Sequence, residues 1–135
     1  MFGQKDYQQL LVIRRMVADL ALPIEIVVAP TLREANGLAM SSRNQYLSAQ
    51  ERERAGIIHR TLQRMAEAVH ANVGLMTIET EARKALEAEG LSVDYVVLRR
   101  AQDLGEPGPE RGGLIALIAA RLGRARLIDN LLVDL

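Results

Sequence analysis

Apolar residues recur at helical spacing early in the chain, with Leu10, Ile13, Val17 and Leu20 forming one stripe that ends at Pro23. Asp6 ahead of the stripe and Gln9 three residues later make a capping-box-like start. Ile24-Glu25-Ile26-Val27-Val28 then reads as a β-branched strand closed by Pro30. A helix followed by a strand, with a lysine-bearing loop before the helix, predicts the tail of a β-α-β unit in a parallel sheet. From Thr31 to Tyr46 no period holds. A long irregular stretch inside a compact domain is usually functional.

Regular patterning returns at Ser48-Ala49-Gln50-Glu51, a strong capping box. The helix it opens carries Ala55, Ile58, Leu62, Met65 and Val69 on one face, and Asn72 and Gly74 end it. Thr77 is expected to cap a second helix through Ile78, Ala82, Ala85 and Leu86, with Gly90 as terminator. Val93, Tyr95 and Val97 alternate as a strand, and a loop rich in glycine and proline follows from Asp103 to Gly113. Residues 114–120 are strand-like by composition, although periodicity alone does not exclude a helix. A turn at Gly123-Arg124-Ala125-Arg126 leads to an antiparallel partner over 127–133. The division falls between an α/β piece, residues 1–44, and a smaller α+β domain, residues 45–135, with two helices and an antiparallel sheet.

Composition narrows the function classes. A chain of 135 residues can bury a real core. Seventeen basic residues balance seventeen acidic ones, so no net field attracts nucleic acid or an acidic membrane surface. Aromatic residues are scarce, which argues against a base-stacking platform. With no cysteine there are no disulfides or thiolate metal sites, in keeping with a reducing cytoplasm. The longest apolar run, Leu114 to Ala120, is too short to span a bilayer as a helix. His59 and His70 lie eleven residues apart on one predicted helix, roughly 16 Å, too far to share a metal ion. They read as packing or solvated residues.

Two loops carry the candidate chemistry. In Gly3-Gln4-Lys5-Asp6, Lys5 offers an ammonium beside free N–H groups at a helix start, and Gly3 permits close backbone approach to a ligand. Asp6 has two readings, acceptor for ribose hydroxyls or helix cap; Gln9 likewise either reaches a second substrate or completes the cap. In Met40-Ser41-Ser42-Arg43, a guanidinium fork and two hydroxyls suit phosphate oxygens. The same cluster also reads as a polar hinge at a domain boundary. Met40 reads as a packing residue or as a contact for a base.

Taken together, FGQKDYQQLLVIRRMV, PTLREANGLAMSSRNQYLS and ARLGRARLIDN closely resemble the pantothenate synthetase family, and the likeness runs through essentially the whole chain. The resemblance implies a Rossmann-like nucleotidyltransferase domain, of which residues 1–44 are a remnant, followed by a lid-like domain. It implies ATP with Mg2+ as cofactors, pantoate and β-alanine as substrates, a homodimer formed through the N-terminal part, and a cytoplasmic location. Pantoate's carboxylate would attack the α-phosphate to give pantoyl adenylate and pyrophosphate; the β-alanine amine would then displace AMP. In that pattern Gly3, Gln4, Lys5 and Asp6 lie at ATP, Leu32 meets adenine through its backbone, and Met40, Ser41, Ser42 and Arg43 form the second ATP loop. Gln9 matches a pantoate-binding glutamine. Lys5, Ser41 and Arg43 are the residues expected to act catalytically, and no protein metal ligand is expected.

The departures from the family pattern matter. Its His-x-Gly-His motif and second pantoate-binding glutamine are absent, so the chain is expected to be a C-terminal half, inactive alone. Asn36 stands where an aspartate is common, a change expected to affect the turn more than the chemistry. A different reading is an isolated folding or interaction module that binds nucleotide weakly or complements an N-terminal fragment.

Overall fold

The computed structural model describes residues 2–3, 8–9, 11–12, 15, 28–29, 32–107 and 113–133. Two short strands, β1 (Phe2–Gly3) and β2 (Val28–Ala29), pair in parallel, Phe2 opposite Val28 and Gly3 opposite Ala29. Gln8, Gln9, Leu11, Val12 and Arg15, between them in sequence, are helical. After a 3-10 helix (Ser42–Tyr46) come α1 (Ala49–Arg54), α2 (Ile57–His70) and α3 (Leu75–Ala88). β3 (Ser92–Arg100), β4 (Leu114–Leu122) and β5 (Ala125–Val133) form an antiparallel sheet with β4 in the centre. The expected strand over 24–28 is described only at Val28, and much of the expected first helix lies outside the described residues.

The predicted capping box is present in full. Ser48 Oγ accepts from Glu51 N–H at 3.1 Å, and Glu51 Oε1 accepts from Ser48 N–H at 2.9 Å. The predicted single helix, however, is divided at Ala55–Gly56. The cause is a side chain from the irregular segment. Asn36 Nδ2 donates to the carbonyls of Arg52 (2.8 Å) and Glu53 (3.4 Å), while Gly56 N–H shifts to Glu53 O at 3.3 Å. An amide inserted among helix carbonyls displaces the i→i−4 bond and breaks the ladder locally.

α2 buries Ile58, Leu62, Met65 and Val69, the face that its spacing predicts, against Ile78, Ala82 and Leu86 of α3. Truncating Leu62 to alanine would cost about 2–5 kcal/mol. Thr77 does not cap α3. The helix begins at Leu75 behind Gly74, and Thr77 lies within its first turn. Both helices end in a left-handed residue, Asn72 (φ 61°) and Gly90 (φ 88°), after which the next N–H reaches back five residues: Val73 to Ala68 O and Leu91 to Leu86 O.

In the sheet, Leu114, Ala116, Ile118, Ala120 and Leu122 of β4 face the helices. Ile115 points to the opposite face, where Leu11, Ala101, Leu104 and Leu117 pack against it. A strand buried on both sides has no alternating pattern to read, which is why composition alone left residues 114–120 ambiguous. β3 departs from its expected phase. A bulge at Asp94 sets Val93 opposite Ala120 and Tyr95 opposite Ala119, so Val96 and Leu98 turn inward while Tyr95 stays 37% exposed. One extra residue inverts every later side chain. No helix among the described residues is long and apolar enough to cross a membrane.

Candidate functional site

The irregular segment after residue 31 is a tight hairpin. Arg33 and Ala39 form an antiparallel bridge. The turn is closed by Gly37 N–H to Glu34 O (2.9 Å), Glu34 N–H to Leu38 O (2.8 Å) and Leu38 N–H to Asn36 Oδ1 (3.1 Å). Gly37 has φ +93°, and a Cβ there would lie 2.6 Å from the His59 ring, so both conformation and space require glycine.

One step beyond the bridge, Met40 N–H donates to Leu32 O at 2.8 Å. Alternation across the bridge gives the hairpin two faces. Ala39 is buried and Arg33 turns toward β5, whereas Leu32 and Met40 are 73% and 53% exposed. Two residues singled out separately in the sequence are therefore hydrogen-bonded neighbours with outward side chains.

From Met40 the chain enters Ser41, partly buried, whose carbonyl accepts from Asn44 N–H at 3.1 Å. Ser42 and Arg43 begin the 3-10 helix, which rests against β5; their side chains lie outside the described part of the molecule. Gly3 is in β1 and Gln9 is helical and exposed. Gln4, Lys5 and Asp6 lie outside the described residues.

Five residues missed in the sequence hold this hairpin: Arg33, Glu34, Asn44, Arg52 and Asp129. Asp129, 4% exposed on β5, receives Arg33 Nη1 at 2.5 Å and Arg33 Nη2 at 3.1 Å, while Nη1 also donates to Gly37 O at 3.0 Å. Asn44 Nδ2 donates to Glu34 Oε2 (2.7 Å) and Ala39 O (3.1 Å), and Arg52 donates to Asn44 O at 2.9 Å. A charge inside a strand that is apolar from Leu127 to Val133 except at Asp129 and Asn130 was the available signal for Asp129, because a buried carboxylate demands a partner. His59, against Gly37, has its pKa lowered by burial first and by Arg33 second, with Asp129 opposing. Among the described residues its buried Nδ1 has no hydrogen-bond partner.

The family description Pantoate-beta-alanine ligase matches residues 1–132. The chain belongs to that family. It is 56% identical over 136 residues to the pantothenate synthetase of Methylococcus capsulatus, covering 100% of this chain and 48% of that protein. It is 59% identical over 132 residues to that of Xylella fastidiosa, covering 96% and 47%. The crystal structure of pantothenate synthetase from Thermus thermophilus superposes with a TM-score of 0.90 at 40% identity, over 99% of this chain and 49% of that one. The pantoate-beta-alanine ligase of Francisella tularensis, solved as a complex with beta-gamma ATP and beta-alanine, matches with a TM-score of 0.67 at 27% identity, over 97% and 42%. The chain spans about half the length of the curated relatives it matches.

Proposed function

We propose that this chain supplies one half of an ATP-dependent pantoate–β-alanine ligase, contributing the second nucleotide loop and the lid-like domain. The observation that carries the reading is the Leu32–Met40 backbone pair, which sets two exposed apolar side chains side by side at the mouth of the Ser41–Arg43 segment. A flat base can lie on such a pair while the residues after Met40 meet its phosphates. The parallel β1–β2 pair with helical residues between supports reading residues 1–44 as a remnant of a Rossmann-like domain. Residues 45–135 are then the lid, with the hairpin fastened to it.

In this reading Lys5 and Arg43 stabilise charge on the α-phosphoryl transition state, Ser41 and Ser42 orient the β- and γ-phosphates, and Gln9 positions pantoate. Gly3, Gln4 and Asp6 complete the nucleotide contacts. Fixed donors lower the barrier because charge spreads over oxygens in the transition state. Holding the carboxylate in line with phosphorus removes an entropic cost. A carboxylate is already a nucleophile, so adenylation requires no general base. Mg2+ entering with ATP would be ligated mainly by phosphate oxygens and water.

A second reading, a self-folding module that complements a separate N-terminal piece, is favoured by the self-contained core of α2, α3 and the sheet. Pantoate-dependent exchange of pyrophosphate into ATP separates the two. The chain alone should show none, and a chimera in which it replaces the matching half of a full-length relative should exchange. A silent chimera, beside an active relative rejoined at the same point, would refute the enzymatic reading.

A further inference from the structure

Asp129 and Arg33 are far more deeply committed to each other than an ordinary lid contact would require. The carboxylate is almost fully buried on β5, and its partner comes from 96 positions earlier, seven residues before Met40. The guanidinium bonds both carboxylate oxygens and, through Nη1, the carbonyl of Gly37. One side chain thus fixes the turn of the hairpin and its attachment to the sheet. A planar fork can do this; an ammonium on a flexible stem cannot hold the same three acceptors in one plane.

We propose that Arg33 and Asp129 are a positioning pair for the nucleotide loop, setting Leu32 and Met40 at the correct height and angle for a purine ring. This rests on the nucleotide-site reading given above. The alternation of the hairpin carries the argument: the face that bears Arg33 and Ala39 is clamped to the sheet, so the opposite face, bearing Leu32 and Met40, is fixed in orientation. Other ties survive without the pair, because Asn44 holds Glu34 and Ala39, and Leu38 is buried in the main core. Loss of the pair therefore slackens the hairpin rather than releasing it.

The test uses the active chimera with Asp129→Asn and, separately, Arg33→Lys. Each should raise KM for ATP roughly tenfold, as expected when a substrate-positioning group shifts by a fraction of an ångström. KM for pantoate should stay within about twofold, because Gln9, the pantoate contact in this reading, lies in the early helical segment and not in the hairpin. In this chain alone, amide exchange at Gly37 and Met40 should speed up in both variants while β4 keeps its protection. Arg33→Lys retains the charge, so it keeps the proposal testable if Asp129→Asn folds poorly. An unchanged KM for ATP in a folded variant, or a loss of rate that only follows the unfolded fraction, would overturn the positioning role while leaving the ligase reading intact. A wild-type chimera without exchange would overturn both.

Discussion

Two carboxylate–guanidinium pairs sit on the same three-stranded sheet and have almost nothing else in common. Asp129 is enclosed beneath the hairpin with Arg33, its side chain 3% exposed. Asp94, at the β3 bulge, accepts from Arg126 at 2.7 Å with Arg121 at 3.6 Å, and all three remain open to solvent. The Arg126 hydrogen bond is the main reason that the Asp94 pKa falls below the ordinary carboxylate value. The first pair joins an irregular segment to the sheet. The second joins two strands already fixed by their ladders to β4. Burial makes the first costly to break once formed, because Arg33 alone would be a charge only 20% exposed, with little water to replace its partner.

The largest effect should therefore come from Asp129→Ala. It leaves Arg33 charged and unpaired in a partly buried site, and urea denaturation should report a loss of about 3–5 kcal/mol. Removing both partners together should cost less than removing Asp129 alone, since no orphan charge remains. A double variant weaker than Asp129→Ala by the full effect of Arg33→Ala would show that the two do not act as a unit. Next in size is Asn36→Ala, which takes away the donor to the Arg52 and Glu53 carbonyls. About 1 kcal/mol is expected, together with a more continuous α1–α2 junction visible in the Ala55 and Gly56 amide shifts.

These contacts mark the limit of what was legible in the sequence. The buried face of α2 was readable because Ile58, Leu62, Met65 and Val69 obey one period, and the Ser48–Glu51 box because both partners lie within one turn. The inward set of β3 was misread. A bulge changes the phase without changing composition, and nothing in Val93-Asp94-Tyr95 announces it. Asn36 looked like a turn residue and is one, but it also reaches across to interrupt a helix 16 positions away. For the site, residue types alone suggested Met40 to Arg43 as a phosphate segment. What the sequence could not give was the hairpin that pairs Leu32 with Met40, or the Arg33–Asp129 tie, which depends on long-range topology and has no spacing rule.

A smaller effect distinguishes the buried region by pH. His59 faces Arg33 and Asp129, and its folded pKa lies below the ordinary 6.5 because burial and the nearby guanidinium disfavour the imidazolium. The unfolded chain therefore binds a proton at a higher pH than the folded one. Stability from this group is complete above about 6.5 and is lost as pH falls through the lower folded value. Melting curves recorded from pH 8 downward should show the wild type losing more stability on acidification than His59→Gln. Parallel curves for the two proteins would mean that the ring is not held neutral by its surroundings.

The smallest effect belongs to the exposed pair and completes the contrast. Arg126→Ala removes the shortest bond to Asp94 but leaves Arg121 within 3.6 Å and a carboxylate side chain that is 29% exposed to water. Solvent takes over the lost interaction, so the melting temperature should move by no more than about 2 °C. What shift there is should shrink further in 1 M salt, where the screening length falls to about 3 Å. Asp129→Ala should keep most of its penalty in the same salt, since the partly buried charge left on Arg33 is screened much less than an exposed one. If salt erased both effects alike, the Arg33–Asp129 contact would be behaving as a surface ion pair, and its claim to orient the nucleotide loop would lose its physical basis.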